Sequence, residues 1–305
     1  MIKLFNLENY TIDTNRFDNL LHDSIVNKFE QNICDFVGAK YGVSFNSATN
    51  AIFLALLNKN TTVSIPSVIP PVVPNAILTS GNEINFIDNV DWVGDSYILH
   101  EFENYKIVDS AQKLEKNQFV KECNPQDLLI FSFYPTKPVG SCDGGMIVSD
   151  DLEKINYLRE MSFNGMTFAT NNWDRRIKFA GYKMYMNSIQ ATIASNNLSK
   201  YEEKLEKLQF VREYYNKNLG LYNTSNHLYR INTTSRRSLI SDFEKNKIQS
   251  GIHYHCLHNH EVYKTQSLTL PKSELESETT LSIPYHEKLT IKELDTIIRV
   301  IDGNS

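Results

Sequence analysis

The chain has 305 residues, 41% hydrophobic and 22% charged, with a net charge of −5. That length accommodates one large domain and a smaller one, and the acidic balance argues against nucleic acid or an anionic membrane as partner. No apolar run reaches the roughly 18–20 residues that span a bilayer. MIKLFNLENYTIDTNRF has no basic stretch leading into an apolar one, and four scattered cysteines (Cys34, Cys123, Cys142, Cys256) read as thiols in a reducing cytoplasm.

Ile25, Phe29, Ile33 and Phe36 recur at three- and four-residue spacing, which predicts an amphipathic helix over 23–37. Tyr41–Phe45 reads as a buried strand that enters a polar turn, Asn46-Ser47-Ala48-Thr49, before a helical run from Ala51 to Leu57. A turn at the start of a helix presents free N–H groups and the positive end of the helix dipole, a natural phosphate site. Strands are expected at Val63–Ile65, Ile84–Ile87, Ile107–Val108, Leu128–Phe133 and Met146–Val148, with helices at Asn75–Thr79 and Leu152–Arg159. Such alternation predicts an α/β domain with a mostly parallel central sheet flanked by helices, whose ligands bind beyond the carboxyl ends of the strands. Asp109 and Lys137 both fall there. From Asn187 to Leu219 the stripe Leu198, Tyr201, Leu205, Leu208, Val211, Tyr215 predicts one long helix bridging to a small C-terminal α+β domain. The expected division is 1–215 and 216–305, with a closing helix over Ile291–Ile301.

Each functional feature is weak alone: a loop lysine, an aspartate after a strand, a Ser-Ala-Thr that could be only an N-cap. In order they resemble one family, the DegT/DnrJ/StrS-type sugar aminotransferases of PLP fold type I. Asn46–Ala51 resembles its S-[GA]-T-x-A turn, and Val108–Gln112 its E-D-A-A-Q motif. Phe131–Lys137 is similar to the F-S-F-x-x-x-K run and Asp143-Gly144-Gly145 to the G-D-G-G after it. Gly181–Met186 with Ile189-Gln190-Ala191, and Leu281–His286, resemble two later segments.

The resemblance implies pyridoxal 5′-phosphate as cofactor, bound as a Schiff base to Lys137, which also shuttles the substrate proton. It implies that Asp109 keeps the pyridine nitrogen protonated, that Gln112 lies near the ring, and that Ala48, Thr49 and Ser132 hold the phosphate. Lys183 would reach the cofactor of a neighbouring subunit, which makes a homodimer with shared sites the expected assembly. The implied reaction takes an amino group, with glutamate as donor, to a keto-deoxy nucleotide sugar.

Two departures stand out. Pro70 occupies the place of the family's ring-stacking aromatic, and only 20 residues separate Asp88 from Asp109, where a helix, a strand and a helix are usual. A trimmed sheet edge or a direct crossover is expected. The histidines His253, His255, His258 and His260 admit three readings: a metal site, ordinary loop residues, or substrate contact by His258 or a neighbour. A PLP-binding regulator or impaired partner subunit is the alternative function. A sugar dehydratase would carry His in place of Lys137, and a nicotinamide enzyme would show Gly-x-Gly-x-x-Gly after an early strand.

Overall fold

The computed structural model describes residues 1–7, 10–21, 23–167, 175–263 and 268–303. Asp23 caps α1 (Ser24–Val37) by accepting from Ile25 N, and Gly38 ends it at φ 81°, a conformation that costs glycine little. Next come β1 (Tyr41–Phe45), α2 (Ala48–Leu56), β2 (Thr62–Pro66), α3 (Val72–Thr79) and β3 (Glu83–Ile87). Then β4 (Tyr97–Glu101) leads to β5 (Lys106–Asp109), α4 (Gln118–Glu122), β6 (Leu128–Ser132), β7 (Gly145–Ser149) and α5 (Leu152–Ser162).

The central sheet has the order β1-β7-β6-β5-β4. β1, β5, β6 and β7 are buried on both faces, and successive side chains go to opposite sides. Ile107, Ile130 and Ile147 join Val43 and Phe45 in a core under α2 and α5, whereas Val108, Leu129, Phe131, Met146 and Val148 face α1. That two-sided burial explains why these strands are near-continuous apolar runs in the sequence. Within this sheet β5 and β6 pair in parallel, while β1–β7, β6–β7 and β4–β5 are antiparallel. The α/β class expected from the sequence is observed, with a more mixed sheet than alternation alone implies. β2 and β3 form a separate parallel pair, and Thr61 Oγ1, 3.1 Å from His100 Nε2, bridges the seam between the two sheets.

The short Asp88–Asp109 connection is the clearest local difference. The chain turns through Trp92 and returns as β4, which hairpins into β5, so one antiparallel strand fills the sheet edge. This strand escaped the sequence reading because YILHE mixes apolar and charged residues at an edge.

The long helix expected over 187–219 is instead two, α6 (Ser188–Leu198) and α7 (Tyr201–Leu219). Lys200 N bonds to Asn197 O at 3.2 Å, a tightened final turn, and the redirected chain buries Tyr201 with its hydroxyl on Leu114 O at 2.8 Å. The apolar spacing continues through the break, which hides it from periodicity. The remainder forms β8 (Tyr229–Asn232), α8 (Arg236–Lys245), α9 (Pro271–Thr279), β9 (Thr280–Ile283) and α10 (Ile291–Asp302). Of these, β8, α8, β9 and α10 pack in a third core with Leu208, Val211 and Tyr215 of α7. Among the described residues, no helix is long and apolar enough to cross a membrane.

Candidate active site

The turn after β1 is assembled from three directions. Ser47 caps α2, its Oγ accepting from Asn50 N at 3.2 Å. The first turn of a helix has no intrahelical acceptor for its N–H groups, so those of Ala48 and Thr49 are offered outward. Gln190, at the third position of α6, donates through Nε2 to Asn46 O at 3.0 Å and holds the turn from behind. Gly145 of β7 pairs with both Phe45 and Ser132. A Cβ there would lie 2.5 Å from Ala48 N and 2.7 Å from Ser47 C, so glycine is what lets α2 approach β7. The same approach brings Ser132 to the end of the sheet where Ala48 and Thr49 lie.

Lys137 lies on the loop between β6 and β7. Phe133 N bonds to Gly144 O at 2.8 Å and Ser141 N to Phe133 O at 2.7 Å, closing the loop, while Lys137 N bonds to Tyr134 O at 2.8 Å. Burial pulls the Lys137 ammonium down to about 8, against the opposing pull of Asp109. Asp109 ends β5, where Oδ1 accepts from Ala111 N and Oδ2 from the Tyr97 hydroxyl, each at 2.9 Å. Burial raises its pKa, and the Ala111 N–H, the Tyr97 hydroxyl and the Lys137 charge all act against that rise. Gln112 is buried, with Oε1 accepting from Gly94 N at 2.8 Å and Nε2 donating to the Tyr254 hydroxyl at 3.1 Å.

The site therefore gathers Lys137, Asp109 and Gln112 against His253, one of the four clustered histidines of the sequence, and against residues the sequence did not single out. His227 Nε2 is 3.4 Å from Lys137 Nζ, and burial with the lysine charge holds this imidazole neutral. Phe5 stacks on His227 at 5.9 Å. His253 is pulled down to about 4 by burial, Lys137 and Arg230. Trp92 and Tyr254 stand parallel, 6.3 Å apart, with the indole N–H on Val68 O at 3.1 Å. These are contacts between distant parts of the chain. A buried histidine beside an apolar run, as in Asn226-His227-Leu228-Tyr229, was the one available signal.

Two other positions lie elsewhere. Lys183 is exposed on the segment whose neighbours Met184 and Met186 bond to the end of β1. His258 is buried, with Nδ1 2.6 Å from Ser67 Oγ and Nε2 3.2 Å from Glu274 Oε1, an arrangement that ties its loop to the exit of β2. His255 and His260 are exposed, and no group of three or more His, Cys, Asp or Glu among the described residues could hold a metal ion.

A buried amine with a depressed pKa is a nucleophile near neutral pH. A buried carboxylate stabilises a protonated ring nitrogen, and a helix start accepts a phosphate. All three lie at the carboxyl ends of β1, β5 and β6.

The sequence profile of the DegT/DnrJ/EryC1/StrS aminotransferase family matches residues 8–94 and 105–302. The chain is 25% identical to a Campylobacter jejuni UDP-4-amino-4,6-dideoxy-N-acetyl-beta-L-altrosamine transaminase, covering 97% of this chain and 96% of the relative. Its fold is similar to that of Helicobacter pylori PseC, an aminotransferase involved in the biosynthesis of pseudoaminic acid (TM-score 0.80, 18% identity, 98% of each chain). It is also similar to Bacillus subtilis NtdA, solved with bound PMP (TM-score 0.80, 18% identity, 93% of this chain and 78% of the other).

Proposed function

This chain belongs to the DegT/DnrJ/EryC1/StrS aminotransferase family, and we propose that it moves an amino group from glutamate to the keto carbon of a nucleotide-linked deoxy sugar. The cofactor is pyridoxal 5′-phosphate, which when bound supplies an electron sink for the carbon that gains or loses a proton. The observation that carries the reading is a buried lysine lowered to about 8 together with a buried, doubly hydrogen-bonded aspartate acting on its charge.

The residues fit that cofactor. Lys137 Nζ would hold it covalently, and as a free amine it would be the base that takes the proton from the substrate carbon and returns it. A pKa near 8 leaves part of the population neutral at physiological pH, as a base must be. The Asp109 carboxylate holds the proton on the pyridine nitrogen, with Gln112 beside it. Ala48 and Thr49 N–H groups and the Ser132 hydroxyl would receive the phosphate, at the turn that Gly145, lacking a Cβ, lets come up against β7. Lys183 of the partner subunit adds a counter-charge, so the active form is a homodimer. Its exposure on one protomer supports that assignment. The name of the Campylobacter relative supports a UDP-sugar as acceptor. Four free cysteines support a cytoplasmic location.

We place the boundary between cofactor-binding and C-terminal domains near residue 215. The third core supports it, although Leu208, Val211 and Tyr215 already pack with the second part.

Purified protein with the cofactor should absorb in the visible and lose that band on addition of glutamate. Borohydride should fix the cofactor on the peptide containing Lys137, and Lys137→Ala should abolish both. Fixation at another lysine would sink the assignment. A protein that binds the cofactor and ignores every amino donor would favour the regulator reading.

A further inference from the structure

The family profile leaves residues 95–104 unmatched, and that gap contains β4. This strand reaches Asp109 through one side chain, and a β-bulge decides which. From the hairpin turn, Glu101 pairs with Lys106 and His100 with Ile107. Leu99 is then an extra residue, so Ile98 pairs with Val108 and Tyr97 with Asp109. In an unbroken ladder Ile98 would stand opposite Asp109 and could donate nothing. The bulge instead sets the Tyr97 hydroxyl 2.9 Å from Asp109 Oδ2, with the Tyr97 ring 4.8 Å from that of Trp92.

A carboxylate in a buried site is driven towards its neutral form unless donors hold it ionised. Here the donors are the Ala111 N–H, fixed by the turn, and the Tyr97 phenol. The third support, the charge of Lys137, belongs to the cofactor-free protein and is given up once that nitrogen holds the cofactor. The phenol, buried and with a pKa well above its ordinary value, stays a donor across the working range.

We propose that Tyr97 is a positioning residue: its hydroxyl holds Asp109 ionised and oriented towards the pyridine nitrogen, a role supplied by the strand that fills this chain's shortened sheet edge. The proposal rests on Asp109 being the ring-nitrogen partner. Tyr97 acts through that carboxylate.

The test uses the full-length protein, pyridoxal phosphate as probe, and the variants Tyr97→Phe, Asp109→Asn and their combination. The readouts are the cofactor dissociation constant and the pH at which the bound cofactor's visible band changes. Tyr97→Phe should weaken binding about tenfold, as for one hydrogen bond to a charged group. It should also move the spectral transition to higher pH, because a ring nitrogen holding its proton less firmly withdraws less charge. In the Asp109→Asn background the same change should alter neither readout.

If Asp109→Asn is defective while Tyr97→Phe matches the wild type in both readouts, the Tyr97 role is overturned and the Asp109 reading stands. If Asp109→Asn itself matches the wild type, the reading beneath fails. Equal effects of Tyr97→Phe in both backgrounds would reduce Tyr97 to packing and overturn the proposal. Should Tyr97→Phe not fold, 3-fluorotyrosine at position 97 replaces it. Its more acidic hydroxyl donates more strongly, so the transition must move to lower pH, and no movement overturns the proposal.

Discussion

Lys137 carries a thermodynamic signature that does not depend on catalysis. Its pKa of about 8 in the folded apoprotein lies below the ordinary 10.5, so between those values the unfolded chain binds more protons than the folded one. Stability should therefore rise with pH above about 8. The gain is bounded near pH 9, because the buried thiols of Cys34 and Cys123, raised to about 12, keep their protons in the folded state and reverse the slope, and Tyr97 and Tyr254, also raised by burial, add to the reversal at higher pH. Denaturant titrations of apoprotein from pH 7.5 to 9 should show the rise, and Lys137→Met should flatten it. An equal rise in both proteins would place the titrating group elsewhere. At this scale the sequence was informative where a motif fixes both residue and spacing, as for Lys137, Asp109 and the Ser47–Thr49 turn. It was silent on Tyr97, His227 and Tyr254, because their roles come from a bulge, a buried orientation and a long-range approach that no local pattern encodes.

Two contacts between elements make claims that stability measurements can check. Glu30 of α1 accepts from Ser44 N and Oγ at 2.7 Å and from Arg159 of α5 at 3.2 and 2.6 Å, while Arg159 also donates to Gly42 O. This network ties both faces of the sheet to β1, immediately before the phosphate turn. Arg159→Ala strands a buried carboxylate and should cost about 2–4 kcal/mol in denaturant unfolding. A loss no larger than a surface pair gives would show that Glu30 finds water instead. Gly145→Ala drives a methyl into the backbone of Ala48 and Ser47. It should weaken cofactor binding more than tenfold, as expected of an overpacking penalty of about 1–3 kcal/mol placed at the phosphate turn. Wild-type affinity would mean that α2 yields at little cost. The elements legible in sequence were those whose burial matches a simple period, such as α1 and the buried strands β1, β6 and β7. β4 lay beyond that logic as a charged edge, and the α6–α7 break was masked by a stripe that continues across it.

At the scale of the whole molecule, the shared-site reading makes a prediction that neither protomer makes alone. Lys137→Ala and Lys183→Ala proteins should each be inactive. Mixed in equal amounts and allowed to exchange subunits, they should regain about a quarter of wild-type activity, because half of the dimers then hold one intact site of two. No recovery, with heterodimers demonstrated by mass, would remove Lys183 from the site. The hairpin of β4 and β5 has a further consequence, in time rather than in space. Tyr97 and Asp109 are 12 residues apart in the chain, whereas the phosphate turn depends on β1 meeting β7, with Tyr41 paired to Ser149. Closing the shorter loop costs less entropy. In pulsed hydrogen exchange during refolding, amides of 97–109 should gain protection before those of 41–49, so the ring-nitrogen end of the site would be assembled while its phosphate end is still open chain. Simultaneous protection would show that the two ends fold as one unit.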